Sequence, residues 1–119
     1  MHGSNWIVGC SLAAVLVSSG TAVAQEARLE RRLDPETRAA VNAIIDSARV
    51  AGLPVEPLVD RALEGASKHA APTRIVAAVR MLAAELATAR AALGPSSSPA
   101  EVDAAASALR AGVRPADLT

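Results

Sequence analysis

Four side chains that could do chemistry lie close together in one short stretch of this sequence: Glu64, Lys68, His69 and Arg74. Such a polar cluster could contact a ligand or a partner protein, and His69 could act there as a pH-sensitive switch because an imidazole titrates near neutral pH. The structural alternative is a salt bridge between Glu64 and Lys68, which are spaced i, i+4, with the other two side chains exposed to solvent. The spacing alone leaves both interpretations open.

Most other chemistries lack the residues that they need. The sequence has one cysteine, Cys10, and two histidines, so a zinc site with several His or Cys ligands is not expected. Ser67 has no Gly-x-Ser-x-Gly elbow around it, and the segment 65–68 has the letters of a phosphate-binding loop in the wrong order. We therefore expect no catalytic residue, no metal and no cofactor, which favours a non-enzymatic protein.

The charge balance and the scarcity of aromatic residues restrict the partners. The 12 basic and 12 acidic residues give a formal net charge of +0, so the chain has no long-range field to attract nucleic acid or anionic lipid. Trp6 is the only Trp, and there is no Phe or Tyr on which bases could stack. We expect no nucleic-acid partner. A core of small aliphatic residues also predicts modest stability, or help from a partner.

The N-terminus has the features of a secretory signal peptide. Residues 7–17 form a short apolar run, and Ala22-Val23-Ala24 places small residues where signal peptidase cleaves. We predict a signal peptide over residues 1–24 and an α-helical domain over 25–119, periplasmic or secreted. Two alternatives stay open: an uncleaved inner-membrane anchor, and a lipid on Cys10, although that cysteine precedes the apolar run.

The elements that must position the polar cluster are helices. Prolines and capping residues mark helix starts, whereas glycines mark helix ends. Ser98 and Glu101 have the spacing of a capping box. The expected starts are at Pro35, between Pro54 and Pro57, at Pro72 and at Pro99, and the expected ends are at Gly52, Gly65, Gly94 and Gly112. Gly65 to Ala71 is then a polar hinge between a short helix and the longest one.

The longest predicted helix carries an apolar seam. Its aliphatic residues alternate at spacings of four and three, which is the spacing of a helix packed along one side. The seam residues are Ile75, Val79, Leu82, Leu86 and Leu93, with Ala89 completing the pattern. We predict an all-α fold, either a small bundle with this helix at its centre or a short α-solenoid of helix-turn-helix units.

A short pattern recurs along the chain. Residues 51–58 and 111–118 both begin Ala-Gly-aliphatic and have leucine as their eighth residue, with proline between, and residues 69–75 form a looser copy. The last copy begins a helix at Pro115 near the end of the sequence. We therefore expect that the natural protein is longer, or that this chain is truncated at its C-terminus.

The segment from Ala48 to Leu93 resembles a family of exported α-helical proteins from GC-rich bacteria, for which no activity is known. The resemblance rests on Gly-Leu-Pro-x-Glu-Pro-Leu at residues 52–58, Glu-Gly-x-x-Lys at 64–68 and Pro-x-Arg-Ile at 72–75. It implies export and a helical fold. His69 occupies a position where that signature leads us to expect glycine.

These observations favour an exported, non-enzymatic helical module that binds a partner protein or a second copy of itself through helix packing. One alternative is a small ligand-binding or enzymatic domain that uses the hinge from Glu64 to Arg74. A second alternative is a membrane-tethered scaffold, if the N-terminal segment is retained.

Overall fold

A computed structural model describes residues 22–118, and all of the regular structure in that range is helical. The predicted all-α fold is therefore confirmed. Residues 1–21, which contain most of the predicted signal peptide, lie outside the described residues. No helix within 22–118 is both long and apolar enough to cross a membrane. The helices are α1 (22–32), α2 (Pro35–Val50), α3 (Glu56–Ser67), α4 (Pro72–Leu93) and α5 (Pro99–Arg110), followed by a 3₁₀ turn (Pro115–Leu118).

Helix α4 is the centre of the bundle. Helices α2, α3 and α5 and the 3₁₀ turn all pack against it, whereas α2 and α3 touch each other much less. In a solenoid each unit contacts only its neighbours along the chain. The arrangement around one helix therefore makes this fold a bundle rather than a solenoid.

The core is built from aliphatic side chains and alanines. Four of the five predicted seam residues, Ile75, Val79, Leu82 and Leu86, are buried, and Leu93 is half-buried. Leu29 and Leu33 join the same core from α1 and the residue after it. The charged segment before α2 is thus a packed helix, because its two leucines lie one turn apart on the side that faces the core.

Helix α1 is also attached to α3 by polar contacts. Glu56 Oε1 accepts a hydrogen bond from Arg28 Nη2 at 2.7 Å, and its Oε2 accepts one from Gln25 Nε2 at 2.6 Å. Further along, Arg32 Nη2 donates to Ser67 Oγ at 2.9 Å. The hydrogen bond from Arg28 is the main cause of the lowered pKa of Glu56. These contacts hold α1 along the length of α3.

Two helix starts have the caps that their sequences predict. The backbone N–H of Thr37 donates to Asp34 Oδ1 at 2.8 Å, and this bond is the main reason why the pKa of Asp34 is lowered. At α5, Ser98 Oγ accepts from the backbone N–H of Glu101, and the Glu101 carboxylate accepts from the backbone N–H of Ser98, each at 3.1 Å. This is the predicted capping box.

Helices α2, α3 and α5 end in the same way. In each, the N–H of the second residue past the C-cap donates to a carbonyl five residues back, which is the Schellman motif. The bonds are Leu53 to Ala48 (2.9 Å), Ala70 to Gly65 (3.0 Å) and Val113 to Ala108 (3.0 Å). The three places are those where the Ala-Gly-aliphatic pattern or its looser copy occurs, so the shared pattern corresponds to a shared helix ending.

The residue that turns the backbone in each motif has a positive φ. Two of these residues are glycines, Gly52 at 76° and Gly112 at 103°, but in α3 the position is taken by His69 at 56°. A residue with a Cβ is strained in this left-handed region. His69 therefore stands at a position where the backbone favours glycine.

The predicted hinge is shorter than expected. Gly65 does not end α3, because the helix continues to Ser67 and only residues 68–71 connect it to α4. The reason for a glycine at this position is packing. A Cβ on Gly65 would lie 2.9 Å from Ile75 Cγ1 of α4, closer than a Cβ can approach without a shift. Gly65 thus permits the close contact between α3 and α4.

Candidate functional site

A groove of about 440 Å³ lies between the C-terminal half of α3 and the N-terminal half of α4, with Arg110 of α5 at its edge. We call it the α3–α4 groove. Its apolar floor and walls consist of Gly65, Ala70, Ile75, Ala77, Ala78, Met81 and Leu82. Its charged rim consists of Arg61, Glu64, Lys68, Arg74, Glu85 and Arg110. The groove therefore combines an apolar surface with both signs of charge.

The groove brings together three of the four candidate residues that the sequence indicated: Glu64, Lys68 and Arg74. Lys68 Nζ lies 2.8 Å from Glu64 Oε1, and its hydrogen bond is the main cause of the lowered pKa of Glu64. Both side chains are exposed, so solvent screens their attraction and the pair adds little to the stability of the helix. The salt bridge expected from the i, i+4 spacing is present, and it forms part of the groove rim.

His69 is not part of this groove. Its side chain lines a separate surface depression with Arg32, Leu33 and Asp34, on the side of the connection that faces α1 and the start of α2. The positive φ of His69 belongs to the helix ending described above, where the backbone reverses direction. Three of the four candidate residues therefore line the α3–α4 groove, and His69 lies outside it.

Sequence reasoning missed four groove residues: Arg61, Met81, Glu85 and Arg110. Among them, Met81 is a large apolar side chain that lines the groove and is 64% exposed. A signal for part of this set was present in the sequence. Arg74, Ala78, Met81 and Glu85 follow one another at spacings of four, three and four, so they form a second row beside the buried seam.

The spacing of residues within one helix could not predict that Arg110 lines the groove, because Arg110 belongs to α5. Its Nη1 lies 3.4 Å from Glu85 Oε2, which links α5 to α4 across one end of the groove. The Glu85 side chain is only 18% exposed, and Oε2 accepts no hydrogen bond of good geometry from the described residues. The contact is therefore an ion pair in a partly buried place, and it leaves hydrogen-bonding capacity on the carboxylate.

The charges on the rim do not balance. Four cations and two carboxylates line the groove, and each carboxylate is already paired, Glu64 with Lys68 and Glu85 with Arg110. Arg61 and Arg74 form no ion pair with any residue in the described range. The rim thus presents two guanidinium groups that form no salt bridge, beside an apolar floor, although the charge of Arg61 also contributes to the lowered pKa of Glu64 after the hydrogen bond from Lys68.

A metal centre has no support in the described part of the chain, where no three His, Cys, Asp or Glu side chains come together in a way that could hold an ion. On α3, the carboxylates of Glu56 and Glu64 are each bonded to a cationic side chain, Arg28 and Lys68 respectively.

Comparison with known proteins gives no relative from which a function could be transferred. No protein-family model, no curated protein and no solved structure matches this chain significantly. The α3–α4 groove is therefore interpreted from its own residues.

Proposed function

We propose that this chain is an exported, non-enzymatic helical module that binds another protein through helix packing in the α3–α4 groove. One observation carries the proposal: the central helix of the bundle has an open apolar face, where Met81 is exposed and lines the groove together with Ala77 and Ala78. Burial of a Met side chain contributes about 1.5–3 kcal/mol, and its flexible thioether adapts to the shape of a partner. A partner that covers Met81 therefore gains binding energy without a change in the fold.

The dimensions of the groove suit a helix. The open part of α4 runs from Arg74 to Glu85, and a helix rises 1.5 Å per residue, so the groove is roughly 16 Å long, or about three turns. Its floor contains Gly65, Ala77 and Ala78, small residues that permit an interaxial distance near the lower end of the usual 8–10 Å. Helix-in-groove binding is a common way for a helical protein to recognise a partner.

Export is supported by the sequence. The apolar run over residues 7–17 and the small residues at Ala22 and Ala24 are typical of a signal peptide and its cleavage site. In this proposal the helical domain acts in the periplasm or outside the cell, and its partner is found there.

The proposal is tested by purification of the tagged full chain from its own host, beside two variants. Met81→Glu places a charge in the groove, whereas Val50→Glu places one at the end of α2, where the side chain is 90% exposed. We expect one protein to co-purify with the wild type and with Val50→Glu but not with Met81→Glu. Equal recovery with all three proteins, or no specific protein with any, would contradict the proposal.

A further inference from the structure

We infer that the occupant of the α3–α4 groove is an acidic amphipathic helix of the partner protein. The inference rests on the proposed function and specifies the chemistry of the partner. Its basis is charge complementarity: the rim carries four cations and two carboxylates, and both carboxylates are paired. Arg61 on α3 and Arg74 on α4 form no salt bridge within the described range, so both can donate hydrogen bonds to carboxylates of a partner.

The two arginines lie on different walls of the groove, one on each helix. A segment that lies between the walls would therefore meet a guanidinium on each side of its apolar contact with Met81. That pattern is matched by a helix with an apolar stripe flanked on both sides by Asp or Glu. Arginine suits this role because its planar fork can bind a carboxylate with two hydrogen bonds.

A helix fits better than an extended strand. An extended peptide binds by adding its backbone hydrogen bonds to the edge of a sheet. The walls of the groove are the helices α3 and α4, whose backbone groups are already bonded within each helix, so they offer no such edge. Recognition must then come from side chains, which a helix presents along one face.

The test uses two synthetic fluorescein-labelled peptides of about 14 residues, enough for nearly four helical turns. One contains Leu, Ala and Glu, with leucines at helical spacing and glutamates beside them. The other has Gln in place of every Glu. Binding to the full chain is measured by fluorescence anisotropy at low ionic strength and again at physiological ionic strength.

We expect the Glu peptide to bind about fivefold more tightly than the Gln peptide, with the difference shrinking as salt is added. The double variant Arg61→Gln/Arg74→Gln removes this preference. The single variant Arg74→Gln, at an exposed position, halves the preference for the Glu peptide. It serves as the test if the double variant is poorly folded. The matched control Arg80→Gln, on the face of α4 toward α2, keeps the full preference.

Three results would overturn the inference. Equal binding of the two peptides, lost from both in Met81→Glu, would show that the groove takes a helix but does not select acids; the proposed function would then stand. Binding of neither peptide would contradict the inference that the groove binds an acidic helix. The proposed protein-binding function would still be tested separately by the co-purification experiment with Met81→Glu and Val50→Glu. A dimer of the full chain in sedimentation, dissociated by Met81→Glu, would assign the groove to a second copy.

Discussion

His69→Gly should stabilise this protein. His69 turns the backbone at the end of α3 with φ at 56°, and its N–H donates to Ala66 O at 3.1 Å while that of Ala70 donates to Gly65 O at 3.0 Å. Glycine adopts this conformation without a steric penalty, so both hydrogen bonds are kept and the backbone strain is released.

The magnitude follows from two opposing effects. The left-handed conformation costs a residue with a Cβ about 1–2 kcal/mol, and glycine has no such steric cost. Glycine makes the unfolded chain more flexible, which costs about 0.4–1 kcal/mol on folding. The imidazole is exposed, so its loss removes little packing. The net gain is about 0.5–1 kcal/mol, equivalent to a rise in Tm of roughly 2–8 °C for a domain of this size.

The assay is urea unfolding of the full chain, followed by far-ultraviolet circular dichroism, with a thermal melt in parallel. His69→Ala is the matched control, because it removes the imidazole but keeps a Cβ at the strained position. Gly112→Ala is the reverse change: nothing lies within 4 Å of the added Cβ, so any loss of stability there reports the backbone alone. If His69→Gly and His69→Ala change the unfolding midpoint equally, the strain argument is refuted.

Three further predictions concern the packing and the charges. Gly65→Ala should lower the free energy of unfolding by about 1–3 kcal/mol in urea titrations, because its Cβ would press on Ile75, although alanine favours helix; a gain in stability would contradict the close contact. Leu86→Ala, at a fully buried seam position, should cost about 2–5 kcal/mol in the same titration, whereas Met81→Ala should cost less than about 0.5 kcal/mol because its side chain is exposed. Acidification should lower the urea midpoint: the pKa values of Asp34 and Glu56 lie below their ordinary values of 3.8 and 4.5, so the stability that these carboxylates add is present above those values and is lost as the pH falls through the folded-state pKa values. The variant Asp34→Asn/Glu56→Gln should show a shallower dependence on pH, and an unchanged slope would disprove these assignments.

Features set by neighbouring residues could be predicted from the sequence. The caps at Asp34 and Ser98 depend on side chains three positions away, so their spacing was sufficient. The seam on α4 and the salt bridge between Glu64 and Lys68 follow from the helical period in the same way. The looser copy of the pattern aligns His69 with Gly52, but the sequence predicts the helix end at Gly65 and not at His69.

Features set by contacts between helices could not be predicted. Gly65 was interpreted as a helix end, since glycine is common there, but its role depends on Ile75 of the next helix. Arg110 reaches Glu85 only because α5 packs against α4. The groove itself depends on which faces of α4 are covered by α2, α3 and α5, and a single helical period does not specify that.

Site-specific photo-crosslinking at two adjacent positions of α4 tests the central claim most directly. A photo-reactive residue at position 81 lies in the α3–α4 groove, and one at position 80 lies on the face toward α2; both side chains are exposed. In the native host we predict a crosslink to one partner protein from position 81 and none from position 80. The same yield from both positions, or a crosslink from position 80 alone, would contradict a docking site in the groove.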